Sequence, residues 1–186
     1  MPTRSLYRVF PCLRGAADTD PGGAHYVPPQ GAGRFDNPAQ YEIFYAADSA
    51  EAAIAEAFGR HPLWTASMLG GIPTLPGSVH ALATYGLDDA STLYDLDDAA
   101  NLVALKLRPS DVVNRDYTVT QALALRIFTM GTVSGLRWWS FYNPAWVNCG
   151  VSNPAALSVI TVQPLSLTDA MLTSAARTSS RLIEAQ

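Results

Sequence analysis

The densest group of residues able to do chemistry lies between Gly31 and Glu56. The run Gly31-Ala-Gly-Arg34-Phe-Asp-Asn37-Pro38 sets glycines beside an arginine, Tyr45 follows near the end of an apolar stretch, and Glu56 falls inside an alanine-rich one. Glycines let backbone amides approach a ligand closely, and an arginine grips a phosphate through two parallel hydrogen bonds, so Gly33 and Arg34 form a candidate anion site. A turn carrying a solvated arginine has the same pattern. Glu56 stands four residues before Arg60 and suits an exposed helical ion pair as well as a cleft carboxylate. Tyr45 taken alone reads as a core aromatic. Arg8 interrupts the strand-like Ser5-Leu-Tyr-Arg-Val-Phe10, where a charge at a half-buried position has a partner or a ligand.

Other chemistries lack their motifs. The sequence holds no Walker A loop, no Gly-x-Gly-x-x-Gly after a strand, no His-Glu-x-x-His and no Gly-x-Ser-x-Gly. His25, His61 and His80 stand apart from one another and from the two cysteines, Cys12 and Cys149, so no metal site, resident cofactor or disulfide framework is expected.

The elements that must position these residues read as follows. Ser5–Phe10 is a strand, leading into a Gly/Pro-rich loop that runs to Gly33. Glu42–Ala47 is a second strand, and Asp48-Ser49-Ala50-Glu51 has the capping-box pattern, predicting a helix from near Ser49 to the Gly59–His61 region before Pro62. On that helix Glu56 points away from Ile54 and Phe58, the expected core face. Residues 62–78 form an ordered surface loop, of a length that often covers a site. Val79–Tyr85, Thr92–Leu96, Leu136–Tyr142 and Leu157–Val162 read as strands, and Asp97–Leu105, Thr118–Met130 and a C-terminal stripe from Leu167 to Ile183 as helices. Strands and helices do not alternate regularly, which indicates a mixed α+β fold and disfavours a doubly wound parallel sheet.

The chain has 186 residues, 48% hydrophobic and 15% charged, with 16 acidic and 12 basic side chains and a net charge of −4. That length and composition suit one globular domain, residues 1–186, and exclude a disordered chain. Acidity without any Lys/Arg run argues against nucleic-acid or membrane-surface binding and leaves room for a small anion held by one or two arginines. No signal-peptide or membrane-span pattern is present, so a cytoplasmic protein is expected, with delivery into another cell without a cleaved signal left open. Trp64, Trp138, Trp139 and Trp146 fit either a core with an aromatic-lined pocket or a surface for homo-oligomer formation.

The order and spacing of these residues resemble the RES domain. The resemblance rests on Tyr7-Arg8-Val9, Gly33-Arg34-Phe35 with Asn37-Pro38, Tyr45-Ala-Ala-Asp-Ser49 and Ala52–Glu56. It extends more loosely through Leu93-Tyr-Asp-Leu96, Tyr117–Ala124 and Gly135-Leu-Arg-Trp-Trp-Ser140, and so spans nearly the whole chain. The family's serine falls on Ser140, with Ser134 and Ser152 as neighbouring candidates.

The resemblance implies a fold similar to ADP-ribosyltransferase toxins, with mixed or antiparallel sheets flanked by helices. It also implies a bacterial toxin that consumes NAD as substrate and is neutralised by a separate Xre-type antitoxin. By the same resemblance Arg8, Arg34 and Gly33 contact the phosphates or ribose, Tyr45 packs by the nicotinamide, Glu56 is the catalytic acid, and Ser140 positions the ligand. Cleaving the nicotinamide–ribose bond passes through an oxocarbenium-like centre, and a carboxylate can hydrogen-bond the ribose hydroxyl and orient the attacking group. Water or phosphate as acceptor gives a glycohydrolase or a phosphorolase; a macromolecular acceptor gives an ADP-ribosyltransferase. A catalytically silent nucleotide-binding domain is the remaining alternative.

Overall fold

The computed structural model describes residues 4–185. In chain order the strands are β1 (Arg4–Cys12), β2 (Phe44–Ala47), β3 (Leu63–Trp64), β4 (Val79–Leu87), β5 (Leu93–Asp95), β6 (Gly135–Trp139), β7 (Val147–Val151), β8 (Leu157–Pro164) and β9 (Leu182–Ile183). The helices are α1 (Ala50–Phe58), α2 (Ala99–Ala104), α3 (Pro109–Val112), α4 (Tyr117–Phe128) and α5 (Ala170–Thr178). Seven strands make one sheet in the order β5-β6-β7-β2-β1-β4-β8, while β3 and β9 pair separately in parallel. β5 and β6 are parallel and the other neighbours antiparallel, so the fold is α+β with a mixed sheet flanked by helices.

One feature of the sheet creates the site. β1 pairs with β4 along its whole length, from Arg4↔Leu87 to Cys12↔Val79, and β2 pairs fully with β7, from Phe44↔Val151 to Ala47↔Asn148. β1 and β2 share a single pair, Tyr7↔Ala47. The sheet is therefore two half-sheets joined at one point, with β1 and β2 parting beyond it. Alternation along β1 sends Leu6 and Phe10 into a core with Phe44 and Tyr85, and sends Tyr7 and Val9 toward the alanines of α1. A third core, with Phe35, Ile43, Leu96, Ile127 and Trp138, seats α4 against the β5–β6–β7 half.

Several boundaries differ from the sequence reading for identifiable reasons. The N-cap of α1 is Ser49, whose Oγ accepts from the Ala52 amide at 3.2 Å. Asp48 extends the β2–β7 ladder instead, its amide donating to the Val147 carbonyl and its Oδ1 accepting from the Val147 amide, so no capping box forms. β6 stops at Trp139, because the Ser140 amide closes a turn onto the Trp146 carbonyl. β7 has no counterpart in the sequence reading. The C-terminal stripe is one helix as far as Thr178; Ser180 then takes a left-handed φ of 55°, and Leu182 and Ile183 leave the helix to pair with β3. The 62–78 loop holds β3 and a single 3-10 turn, Ala66–Leu69. Of the tryptophans, Trp64 and Trp138 are buried and Trp139 and Trp146 half-buried.

Candidate active site

α1 buries Ile54 and Phe58 and turns Glu56 outward into the gap between the half-sheets. The Glu56 carboxylate is held from the opposite wall. Its Oε1 accepts from Ser140 Oγ at 2.7 Å and from Asn148 Nδ2 at 2.7 Å. The Ser140 hydroxyl oxygen in turn accepts from the Tyr142 amide at 3.1 Å, which fixes its proton toward Glu56. Ser140 is 2% exposed and Asn148 7%, so both donors are locked by their surroundings, while Glu56 itself is exposed. Among the described residues no hydrogen bond reaches Oε2. Arg60 turns its Nε to His61 at 3.0 Å, and no ion pair with Glu56 is formed among the described residues.

The gap is a cavity of about 320 Å³, lined by Glu56 and Asn148 together with Tyr7, Arg8, Tyr45 and Trp138, and by four alanines, Ala46, Ala47, Ala53 and Ala57. Tyr45 and Trp138 meet edge to face, with ring centroids 6.2 Å apart. The Tyr45 hydroxyl donates to Asp36 Oδ1 at 2.7 Å and accepts from the Phe35 amide at 3.0 Å, so the ring is a fixed wall. Burial, reinforced by the Asp36 carboxylate, pushes its phenol far above the ordinary tyrosine range. Arg8 Nη1 donates to the Tyr26 carbonyl at 2.9 Å, and its guanidinium lies 4.4 Å from the centre of the Phe44 ring. Burial lowers the Arg8 pKa and the neighbouring Tyr85 phenol opposes this; an arginine stays charged at neutral pH regardless. Burial also raises Tyr85 to about 12, against the pull of Arg8.

Arg8, Tyr45 and Glu56 thus share one cleft, with Ser140 bonded to Glu56 from behind. Gly33 and Arg34 are not among the residues lining it. The Gly31 and Gly33 amides do converge on an anion, as the sequence suggested, but the anion is the chain's own Asp36 carboxylate, at 2.8 and 2.7 Å. A Cβ at Gly33 would stand 2.4 Å from Asp36 Oδ1, so this close approach requires glycine. Arg34 Nη1 donates to the Asn114 carbonyl at 2.6 Å and more weakly to that of Val112 at 3.4 Å, with its guanidinium 5.2 Å from the Tyr117 ring centre. Gln121 donates to the Gly33 carbonyl at 2.9 Å, completing a braced loop between Tyr45 and α4. Ser134 and Ser152 meet each other at the far end of β6, where the Ser152 hydroxyl donates to the Ser134 carbonyl at 2.9 Å.

Asn148 is the residue the sequence reading lacks. Its signal is a lone amide in the apolar run Val147–Val151, since a buried polar side chain requires a partner. No group of three or more His, Cys, Asp or Glu able to hold a metal ion occurs among the described residues, and no helix there is long and apolar enough to cross a membrane.

A split mixed sheet thus places Glu56, its carboxylate restrained from one side, and Arg8 in the lining of one cleft. Comparison with known families makes this specific: residues 5–170 match the RES domain, and the chain belongs to that family. The fold is also similar to a chain in the crystal structure of the M. tuberculosis MbcT-MbcA toxin-antitoxin complex, with a TM-score of 0.60 and 18% identity, covering 95% of this chain and 89% of that one. No curated protein matches the sequence.

Proposed function

We propose that this protein is a toxin-type enzyme that cleaves the nicotinamide–ribose bond of NAD and is restrained by a separate Xre-type antitoxin. The observation that carries the reading is the division of labour on Glu56, a residue that lines the cleft: one oxygen is tied by Ser140 and Asn148, and the other has no hydrogen bond among the described residues. Membership of the RES family supports it, as does the likeness to a chain from a toxin–antitoxin complex.

In this reading the nicotinamide ring lies against Tyr45 and Trp138, Arg8 neutralises the diphosphate, and Glu56 Oε2 accepts the ribose hydroxyl bond beside the developing positive charge. Nicotinamide leaves as a neutral molecule from a cationic glycoside, so the site needs no general acid to expel it. Gly33 and Arg34 act at one remove, bracing the Asp36–Tyr45 wall. Water or phosphate completes the bond to the ribose carbon.

The test is nicotinamide release from NAD by the full chain, with and without phosphate, beside Glu56→Gln. Glutamine keeps an oxygen for Ser140 and Asn148 to bond but removes the charge. Release by wild type and its loss by about 100-fold or more in a folded Glu56→Gln variant is the expected result. Undiminished release by the variant, or none by wild type, refutes the reading.

A further inference from the structure

The cleft does not end at Arg8. Along β1, Tyr7 and Val9 face α1 and Glu56, whereas Arg8 belongs by alternation to the other face, with Leu6 and Phe10. Arg8 also lines a second cavity there, of about 500 Å³, within the roughly 300–1,000 Å³ range of small-ligand sites. Two proline-rich loops wall this chamber, the first contributing Pro21, Pro28 and Pro29, the second Ile72 and Leu75. Neither wall is loose. The buried Ser78 closes the second loop, its hydroxyl donating to the Leu75 carbonyl at 2.6 Å and accepting from the Ile72 amide at 3.3 Å. The loops also touch, since a Cβ at Gly22, where φ is +93°, would come 3.1 Å from Leu75 Cδ2.

The chemistry of the lining selects its occupant. Arg8 is its one charged group; Tyr26 and Thr74 supply hydroxyls, and among the described residues no carboxylate or side-chain amide lines it. Such a chamber suits a ligand with a phosphate at one end and a flat, largely apolar body, held by its faces rather than read at its edge. Arg8 is common to the linings of both cavities, with its guanidinium on the chamber's side beside Phe44 and the Tyr26 carbonyl, so the two cavities meet at this residue.

We propose that the proline-walled chamber is the seat of the adenylate half of the dinucleotide, with Arg8 at the diphosphate between the two halves. This rests on the NAD-cleaving reading above and adds to it where the substrate's binding energy is collected. Contacts to the non-reacting half that are equally strong in ground state and transition state, as a rigid chamber away from the ribose carbon provides, act on KM and leave kcat unchanged.

The experiment compares nicotinamide release from NAD with that from nicotinamide mononucleotide, which lacks the adenylate half, using the full-length wild type and Thr74→Trp. Thr74 is exposed at the chamber wall, so an indole there can fill the chamber without entering the core. Ile72→Trp, also at an exposed position, is the second plug should the first not fold. The expected result is a KM for NAD about tenfold or more below that for the mononucleotide in wild type. The plug raises the NAD value by about tenfold and leaves kcat/KM for the mononucleotide unchanged. A folded plug variant with an unaltered NAD-to-mononucleotide ratio overturns the chamber while leaving NAD cleavage standing. Release from neither substrate by wild type overturns the NAD reading, and the chamber with it.

Discussion

Replacing Asn148 by leucine isolates one of the two bonds that restrain Glu56. The residues are close in volume and position 148 is 7% exposed, so the substitution deletes the Nδ2 donor without opening a cavity. Glu56 is itself exposed, so losing one donor does not strand a buried charge, and folding stability changes little. What changes is the freedom of the carboxylate. A hydrogen bond to a charged acceptor is worth about 1.5–3 kcal/mol. If that bond's whole value goes into holding Glu56 where the transition state needs it, kcat falls by about 10- to 150-fold. Ser140 still engages Oε1 at 2.7 Å, so the loss lies in the lower part of that range, short of that expected for Glu56→Gln. Steady-state nicotinamide release gives kcat and KM separately, and a urea titration gives stability. The expectation is a reduced kcat, a KM within about twofold of wild type and an unchanged midpoint. An unchanged kcat would refute the restraint argument; a loss confined to KM would make Asn148 a substrate contact instead of a positioning residue.

Arg34→Ala removes the guanidinium from the Asn114 and Val112 carbonyls and from the Tyr117 face, and should lower unfolding free energy by about 2 kcal/mol in a urea titration. An unchanged midpoint with lost turnover would return Arg34 to the substrate. Tyr85, fully buried, holds its proton up to about pH 12 in the folded protein and to about pH 10 when unfolded. The unfolded state therefore sheds this proton first, and a contribution of about 2–3 kcal/mol, complete below pH 10, is lost as pH rises through 12. Wild type should accordingly lose stability more steeply than Tyr85→Phe across that window, and parallel curves would contradict the assignment.

What was legible in the sequence depended on contrast with the surroundings. Arg8 stands out as a charge within an apolar strand, and Glu56 as an acid opposite the Ile54–Phe58 face, and both line the cleft. β7 offered no such contrast. All five of its residues are buried, which erases the alternation by which a half-exposed strand is recognised, and asparagine and glycine are poor strand formers. With the strand unseen, Asn148 had no position from which to be judged. The Gly31–Pro38 run is a different case: its pattern announces an anion site, and the chain supplies the anion two residues after Arg34. Local sequence cannot separate a loop that waits for a ligand's charge from one that wraps its own. The single Tyr7↔Ala47 pairing is likewise set by register between strands far apart in sequence.

The alanines of α1 illustrate how one residue choice serves fold and site together. Read along the chain, Ala50, Ala52, Ala53, Ala55 and Ala57 signify helix propensity. In the folded protein Ala52 and Ala53 also pack with Ala47 and Leu82, so the helix lies close against both half-sheets at their junction. A leucine-rich helix would stand further from the sheet and fill the space with its own side chains. The short side chains of Ala53 and Ala57, lining the cleft with Ala47, leave the split between β1 and β2 unfilled. The acid is thus brought within reach of Ser140 and Asn148 by the same small residues that keep a cavity in front of it. Bulk added at Ala57, which is only half-buried, would act on the site before it acted on the fold, whereas bulk at the buried Ala53 would push the helix off the sheet.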